Sequence, residues 1–306
     1  MAKAGLLFVG TDDGIVLFSD PGGVGRWFRV GQELRGRAIR AVWPAADTPL
    51  VVLVAADDAG LQRSDDGGQS WRQALDADVR SIAGHPRAPH ALYLGAADGA
   101  VYRGADAGAS WELCPRDARP AEGGAAYVVV APGDLRRLYL GLGSGGAWSS
   151  ADGGDHWARY GEGLLDNVTE IVADPAQPGA LYAVAGGALY HCAAAEARWE
   201  PAGAVRAGQC VALAALPGKV PVLLAAWASG GIARSDDGGA SWSAVAPDVA
   251  WQGEVTTIAA ARYHIDTAFA GSAGGQLAQS ADRGRTWQVL KSGLGPIRSI
   301  AAARLA

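Results

Sequence analysis

The sequence predicts an all-β protein, a seven-bladed β-propeller of four-stranded antiparallel blades. Three observations carry this. Seven tryptophans, at positions 27, 71, 111, 157, 199, 242 and 287, recur every 40 to 46 residues, and a self-similar period of that length marks stacked supersecondary units. Five of the seven close the same octapeptide. The first apolar segment, Gly5 to Gly10, reads as a second strand, while Ile297 to Ala301 reads as the first strand that this blade otherwise lacks.

The octapeptide copies are Ser64–Trp71 (SDDGGQSW), Gly104–Trp111 (GADAGASW), Ser150–Trp157 (SADGGDHW), Ser235–Trp242 (SDDGGASW) and Ser280–Trp287 (SADRGRTW). Two further copies have decayed: Cys192–Trp199 keeps the spacing without the Asp and Gly, and Ser19–Trp27 is one residue longer. The residue types are those of a tight turn. An Asp carboxylate accepts from nearby backbone N–H groups, fixing the loop. A Gly admits a positive φ. A Trp begins the next strand, buries its ring and seeks an acceptor for its indole N–H. Each box is therefore read as a structural staple between the third and fourth strands, rather than as a catalytic or calcium site.

Around every box the order of elements repeats. Two short apolar runs split by a Gly- or Asp-containing turn come first, as in Ala91–Gly95 with Gly99–Arg103, and Arg137–Gly141 with Gly146–Ser149. These are strands B and C. After the box comes strand D, then a loop and a further run that is strand A of the next blade, beginning at Ile39, Val79, Val168 and Val255. Short runs with frequent turn signals argue for β-structure, and no capped 3.6-residue apolar period argues for a helix. Ile297–Ala301 supplies the seventh A strand and closes the ring on blade 1. Radial closure leaves only short edges. The unbroken period makes residues 1–306 one propeller rather than two domains.

Composition narrows the function classes. A net charge of −5, and lysine only at positions 3, 219 and 291, disfavour nucleic acid as a partner. No apolar run approaches a membrane span or a signal-peptide core. The cysteines, Cys114, Cys192 and Cys210, fall in different blades and read as reduced thiols. The expectation is a cytoplasmic monomer. The five histidines are scattered, with no metal-ligand spacing, and no phosphate-binding loop or nucleophile elbow occurs, so neither a metal nor a cofactor is expected.

In a propeller the D–A loops and B–C turns share one face, around the channel mouth, and variable loops on a rigid scaffold are where function is sought. The second position of each A strand reads Arg298, Arg40, Arg80, Tyr127, Thr169, Val211 and Thr256 around the ring. Three arginines from blades 1, 2 and 3 would form an anion-binding patch, because a guanidinium offers a planar fork to carboxylate or phosphate. The competing reading is internal neutralisation by Asp12, Asp13, Asp57, Asp58 and Asp98 in the B–C turns of the same blades. Tyr127 is expected to line the channel, its position subject to a one-residue shift after the long 114–126 loop. Trp227 and Trp251 fall on adjacent loops and read either as a stacking surface or as ordinary loop packing. Trp43 and Trp148 read as core. Glu170 is the one carboxylate at a channel-side position.

The pattern S-x-D-x-G-x-[ST]-W resembles the Asp-box, or BNR repeat, and the resemblance spans the chain. Sialidases with this box use six blades, an arginine triad and an early Arg-Ile-Pro signature, which is absent here. Xyloglucan hydrolases carry a catalytic Asp in a Thr-Asp-x-Gly-Gly turn, to which Thr11–Gly14 is faintly similar, but they use two propellers. The resemblance to single seven-bladed rings of the photosystem II stability/assembly factor type fits best in size and repeat number. It implies a non-catalytic, protein-binding scaffold with an arginine-rich patch on one face; read with the ring positions above, the expected binding residues are Arg40, Arg80, Arg298, Tyr127, Trp227 and Trp251, for an acidic protein or an anionic small ligand or carbohydrate. The alternative implied by the hydrolases is a glycosidase using Asp12 and Glu170, since glycoside cleavage takes a pair of carboxylates.

Overall fold

The computed structural model describes residues 4–45, 47–85, 87–115, 124–164, 167–194, 198–203, 209–245 and 249–305. Among them there is no helix; seven four-stranded antiparallel sheets account for the regular structure. Blade 2 runs Ile39–Pro44, Val52–Ala56, Gly60–Ser64 and Arg72–Leu75 as strands A to D, and blades 3 to 7 repeat that order. Blade 1 is composite. Its B strand, Gly5–Thr11, pairs with Ile297–Arg304, which brings the A strand from the far end of the sequence. The A strands touch their neighbours in sequence all the way round, blade 7 against blade 1 included, so the sheets form a closed ring.

Burial follows strand position. The B strands of blades 2, 4, 5, 6 and 7 are buried along their whole length, which is why they read as unbroken apolar runs such as Val52–Ala56. A strand covered on both faces has no reason to alternate. The outer D strands are short and exposed, with charged or polar residues such as Arg72 and Gln73 on the edge, which discourages edge-to-edge pairing. Between blades the core is continuous. The B strand of blade 3 carries Gly95 where the carbonyl of Ala126 in blade 4 comes so close that a Cβ would meet it at 2.1 Å. Glycine is required there by close approach, not by its dihedral freedom.

The boxes are the staples that turn chemistry predicts. In blade 2, Asp66 accepts from the N–H groups of Gln69 and Ser70, both at 2.9 Å, and from the hydroxyls of Ser64 at 2.8 Å and Ser70 at 2.5 Å. The indole of Trp71 donates to the Gly68 carbonyl at 3.1 Å. Trp157, Trp242 and Trp287 repeat that bond on Gly154, Gly239 and Gly284. Trp111 does not: its indole nitrogen is buried without a partner. In the decayed fifth box Trp199 turns its N–H to the Tyr160 carbonyl instead.

Candidate functional site

The face opposite the boxes is built by one repeated bond. In every blade a B–C turn N–H donates to the carbonyl just before strand A of the same blade. The pairs are Asp12 to Pro296, Asp57 to Ala38, Ala97 to Asp78, Gly143 to Ala125, Gly186 to Asn167, Ala228 to Gln209 and Ala273 to Glu254, at 2.8 to 3.0 Å. This ties the turn to the start of the A strand and fixes where the second A-strand residue emerges.

That second residue sits in a β-bulge in six of the seven blades. The ladder skips Arg298, Arg40, Arg80, Thr169, Val211 and Thr256. A bulge bends the strand and re-aims the extra side chain, here towards the channel mouth. Blade 4 alone keeps regular pairing, Ala126 to Leu142 and Tyr127 to Gly141. The shift expected after the long loop is thus realised as a missing bulge. Tyr127 still lines the channel, beside Thr169, Glu170 and Thr256, in a cavity of about 340 Å³ that also touches all three arginines. Burial raises its phenol above the usual range.

The three arginines meet at this mouth, and each carries an aspartate. Arg298 donates from Nε and Nη2 to the two oxygens of Asp12, at 2.6 and 2.8 Å. Arg40 makes the same fork on Asp57, at 2.8 and 2.6 Å. These bonds hold both carboxyls below the ordinary aspartate range and raise both guanidiniums. Arg80 is different. Its partner is Asp78 in the preceding loop rather than Asp98, and one nitrogen, Nη2, makes the bond at 2.5 Å. Its Nε is buried with no acceptor. Arg80 also borders a second cavity of about 540 Å³, lined by Asp57, Asp58, Asp76 and Asp78. Which aspartate closes Arg80 depends on loop geometry that composition does not encode.

Glu170 and Asp12 are not brought into one site. Asp12 is taken by Arg298 on the outer face. Glu170 lies in the channel wall, where its Oε2 accepts the Leu213 N–H of blade 6 at 2.7 Å. It acts as an inter-blade staple, as Ser81 does on Ala126 and Val128, and Ser299 on Ile39. Ringed by blades and facing no cation, its carboxyl is pushed up to about 8, chiefly by desolvation.

Trp227 corrects a further expectation. It ends its strand as read, but it is 3% exposed and packs inside the blade 5–6 core, its indole nitrogen unpartnered. It offers no open stacking face. Trp251 is half-buried against a different core, edge-on to Trp287 with centroids 6.5 Å apart. The two rings do not form one platform. Trp43 and Trp148 are core, as expected.

One residue on the box side escaped sequence reading. Arg262, after the A strand of blade 7, lays its guanidinium 3.4 Å from the ring centre of Trp43 in blade 2. Blade 1 lies between them, and no local pattern signals a contact across it.

No family model matches the chain, and no curated protein matches it. Solved structures do. The chain is similar to a GH74 enzyme of Niastella koreensis, with 17% identity and a TM-score of 0.68 over 82% of this chain; it spans 45% of the length of that enzyme. It is similar to YCF48 bound to a D1 peptide, with 19% identity and a TM-score of 0.64, over 82% of this chain and 81% of that one. It is also similar to the WD40 repeats of RRP9, with 13% identity and a TM-score of 0.69, over 88% and 85%. Identities this low establish the propeller fold, shared by enzymes and by proteins without that chemistry.

Proposed function

We propose that this chain is a binding scaffold whose D–A/B–C face receives an acidic segment of a partner protein at the channel mouth. The observation that carries the reading is Arg80. Arg40 and Arg298 spend Nε and Nη2 on their aspartates. Arg80 spends Nη2 alone and stands at the wall shared by the channel cavity and the neighbouring acidic one. A partner carboxylate reaching the remaining guanidinium N–H groups would gain a charge-assisted bond. The aspartates around it would reject unselective anions, since like charges close together discriminate against the wrong partner. Support by likeness comes from the neighbour solved with a peptide.

Against the hydrolytic alternative, Asp12 is committed to Arg298 and Glu170 to Leu213, and the channel cavity lined by Glu170 does not include Asp12. The binding reading is tested with a fluorescent Glu-rich decapeptide, titrated by anisotropy at low and high salt. Arg80→Ala should weaken binding by about tenfold or more, as loss of a hydrogen bond to a charged group does. Arg298→Ala should change it less. Equal affinity for wild type and Arg80→Ala would end the proposal.

A further inference from the structure

The box of blade 1 has not simply decayed. Asp20 stands where the intact boxes have their first serine: it ends its strand seven residues before Trp27, as Ser64 does before Trp71 and Ser280 before Trp287. In the intact boxes that serine hydroxyl accepts the N–H of the glycine four residues on and donates to the box aspartate. Blade 1 has no box aspartate, since Gly22 holds its place. Asp20 takes over the accepting role with one oxygen only, Oδ2, which receives the Gly25 N–H at 2.6 Å. Its other oxygen, Oδ1, is cut off from bulk water and has no hydrogen-bond partner, in a residue 3% exposed. A buried carboxylate oxygen without a donor is costly, and native structures rarely leave one unanswered.

Asp20 lines a cavity of about 390 Å³ between blades 1 and 7, whose walls include Trp27, Tyr263, His264, Gln279 and Arg304, with Val24 on an exposed lip. That volume is at the small end for ligand sites. The Trp27 ring is fixed, its N–H on the Gln279 side-chain oxygen at 3.0 Å and its plane edge-on to Phe269 with centroids 5.7 Å apart. Tyr263 has its phenol pushed up to about 12 by burial, so it is neutral at physiological pH. The Arg304 guanidinium lies 5.9 Å from the Tyr263 ring centre, so this aromatic wall already takes a cation on its face. The covering loop is tied to Asp20 alone, by the Gly23 N–H on its carbonyl at 3.1 Å and the Gly25 N–H on its carboxylate. Residues 22–25 are exposed, Gly23 and Gly25 have positive φ, and no atom lies within 4 Å of where a Cβ on Gly25 would be. The carboxylate that ties this loop down in the other boxes is missing.

We propose that this cavity is a binding site for a small organic cation bearing an N–H, a primary alkylammonium, entering by displacement of the 22–25 loop. The ammonium would give Asp20 Oδ1 the donor it lacks, and the alkyl chain would pack on Trp27, where a cation is also favoured by the ring. The site lies on the box side of the ring and is independent of the channel-mouth reading.

The test is an NMR titration of the isotope-labelled protein with n-butylammonium chloride against sodium chloride at matched ionic strength, following the Trp27 indole N–H. A saturable shift is expected. Asp20→Ser, which installs the residue of the intact boxes, should weaken it by about tenfold or more, as expected for a lost charged hydrogen bond. Tetramethylammonium, which has no N–H, should bind more weakly than n-butylammonium. The proposal is overturned by no saturable shift, by undiminished binding in Asp20→Ser, or by an equal response to tetramethylammonium or to neutral methyl glucoside. Should Asp20→Ser fail to fold, the contrast among the three probes on wild type decides.

Discussion

The molecule uses aspartates in two ways on its two faces. In the boxes the aspartate at the third position is satisfied within four residues, by backbone amides and side chains of its own turn, as Asp237 is by Ser235 and Ser241. At the channel mouth the carboxylates are satisfied by arginines, from 2 residues away for Asp78 and Arg80 to 286 for Asp12 and Arg298. The first arrangement fixes a turn whatever the rest of the ring does. The second joins one side chain to another, within a loop for Arg80, within a blade for Arg40, and only across the closed ring for Arg298. The two faces differ in what answers their charges, the turn's own amides on one and guanidiniums on the other.

That contrast can be broken experimentally, the boxes first. Asp237→Ala should destabilise the protein by about 1–2 kcal/mol, the usual cost of removing a side-chain acceptor from a turn's backbone donors, measured by denaturant unfolding. The Asp237 carboxyl sits at about 2 in the fold against an ordinary 3.8. Its contribution is therefore present above about pH 4 and lost as pH falls towards 2, and the gap between wild type and variant should close over that window.

Glu170 sharpens the comparison because it has neither many amides nor an arginine. Its carboxyl is raised to about 8 against an ordinary 4.5. The folded state holds a proton that the unfolded state releases, so stability should fall as pH rises between those values. Glu170→Gln keeps the acceptor for Leu213 and should flatten that slope, gaining up to a few kcal/mol at pH 8, one pKa unit being about 1.36 kcal/mol. A slope identical in wild type and variant would show that Glu170 titrates normally.

The smallest effect belongs to the mouth. A double-mutant cycle on Arg298→Ala and Asp12→Ala should return a coupling under about 1 kcal/mol that shrinks with added salt, as exposed ion pairs do. A coupling as large as the effect at a box would erase the distinction between the faces.

The same distinction explains what the sequence disclosed. The boxes, the blade count and the closing strand were legible because they rest on short-range turn chemistry repeated in register. The arginine cluster was legible as a set, because equivalent positions in a repeat converge. The pairing of Arg80 with Asp78, the burial of Trp227 and the reach of Arg262 to Trp43 were not, since each depends on the packing of blades distant in sequence. Asp20 was hidden by a single extra residue. Counted from Ser19 the first box looks one residue too long, and its register against Gly5 shows that the strand ends on the acid.

Ring closure also has a mechanical consequence. Gly5 pairs with Arg304 at one extremity of the seam, and the Leu305 N–H meets the Ala4 carbonyl beside it at 2.9 Å. Both strands therefore leave the sheet at the same edge. Tension applied through the two tails would load the seam's bonds one after another, as in unzipping, instead of all together as in shear. The torus should yield to pulling at a modest force, opening at blade 1 before any other blade unravels.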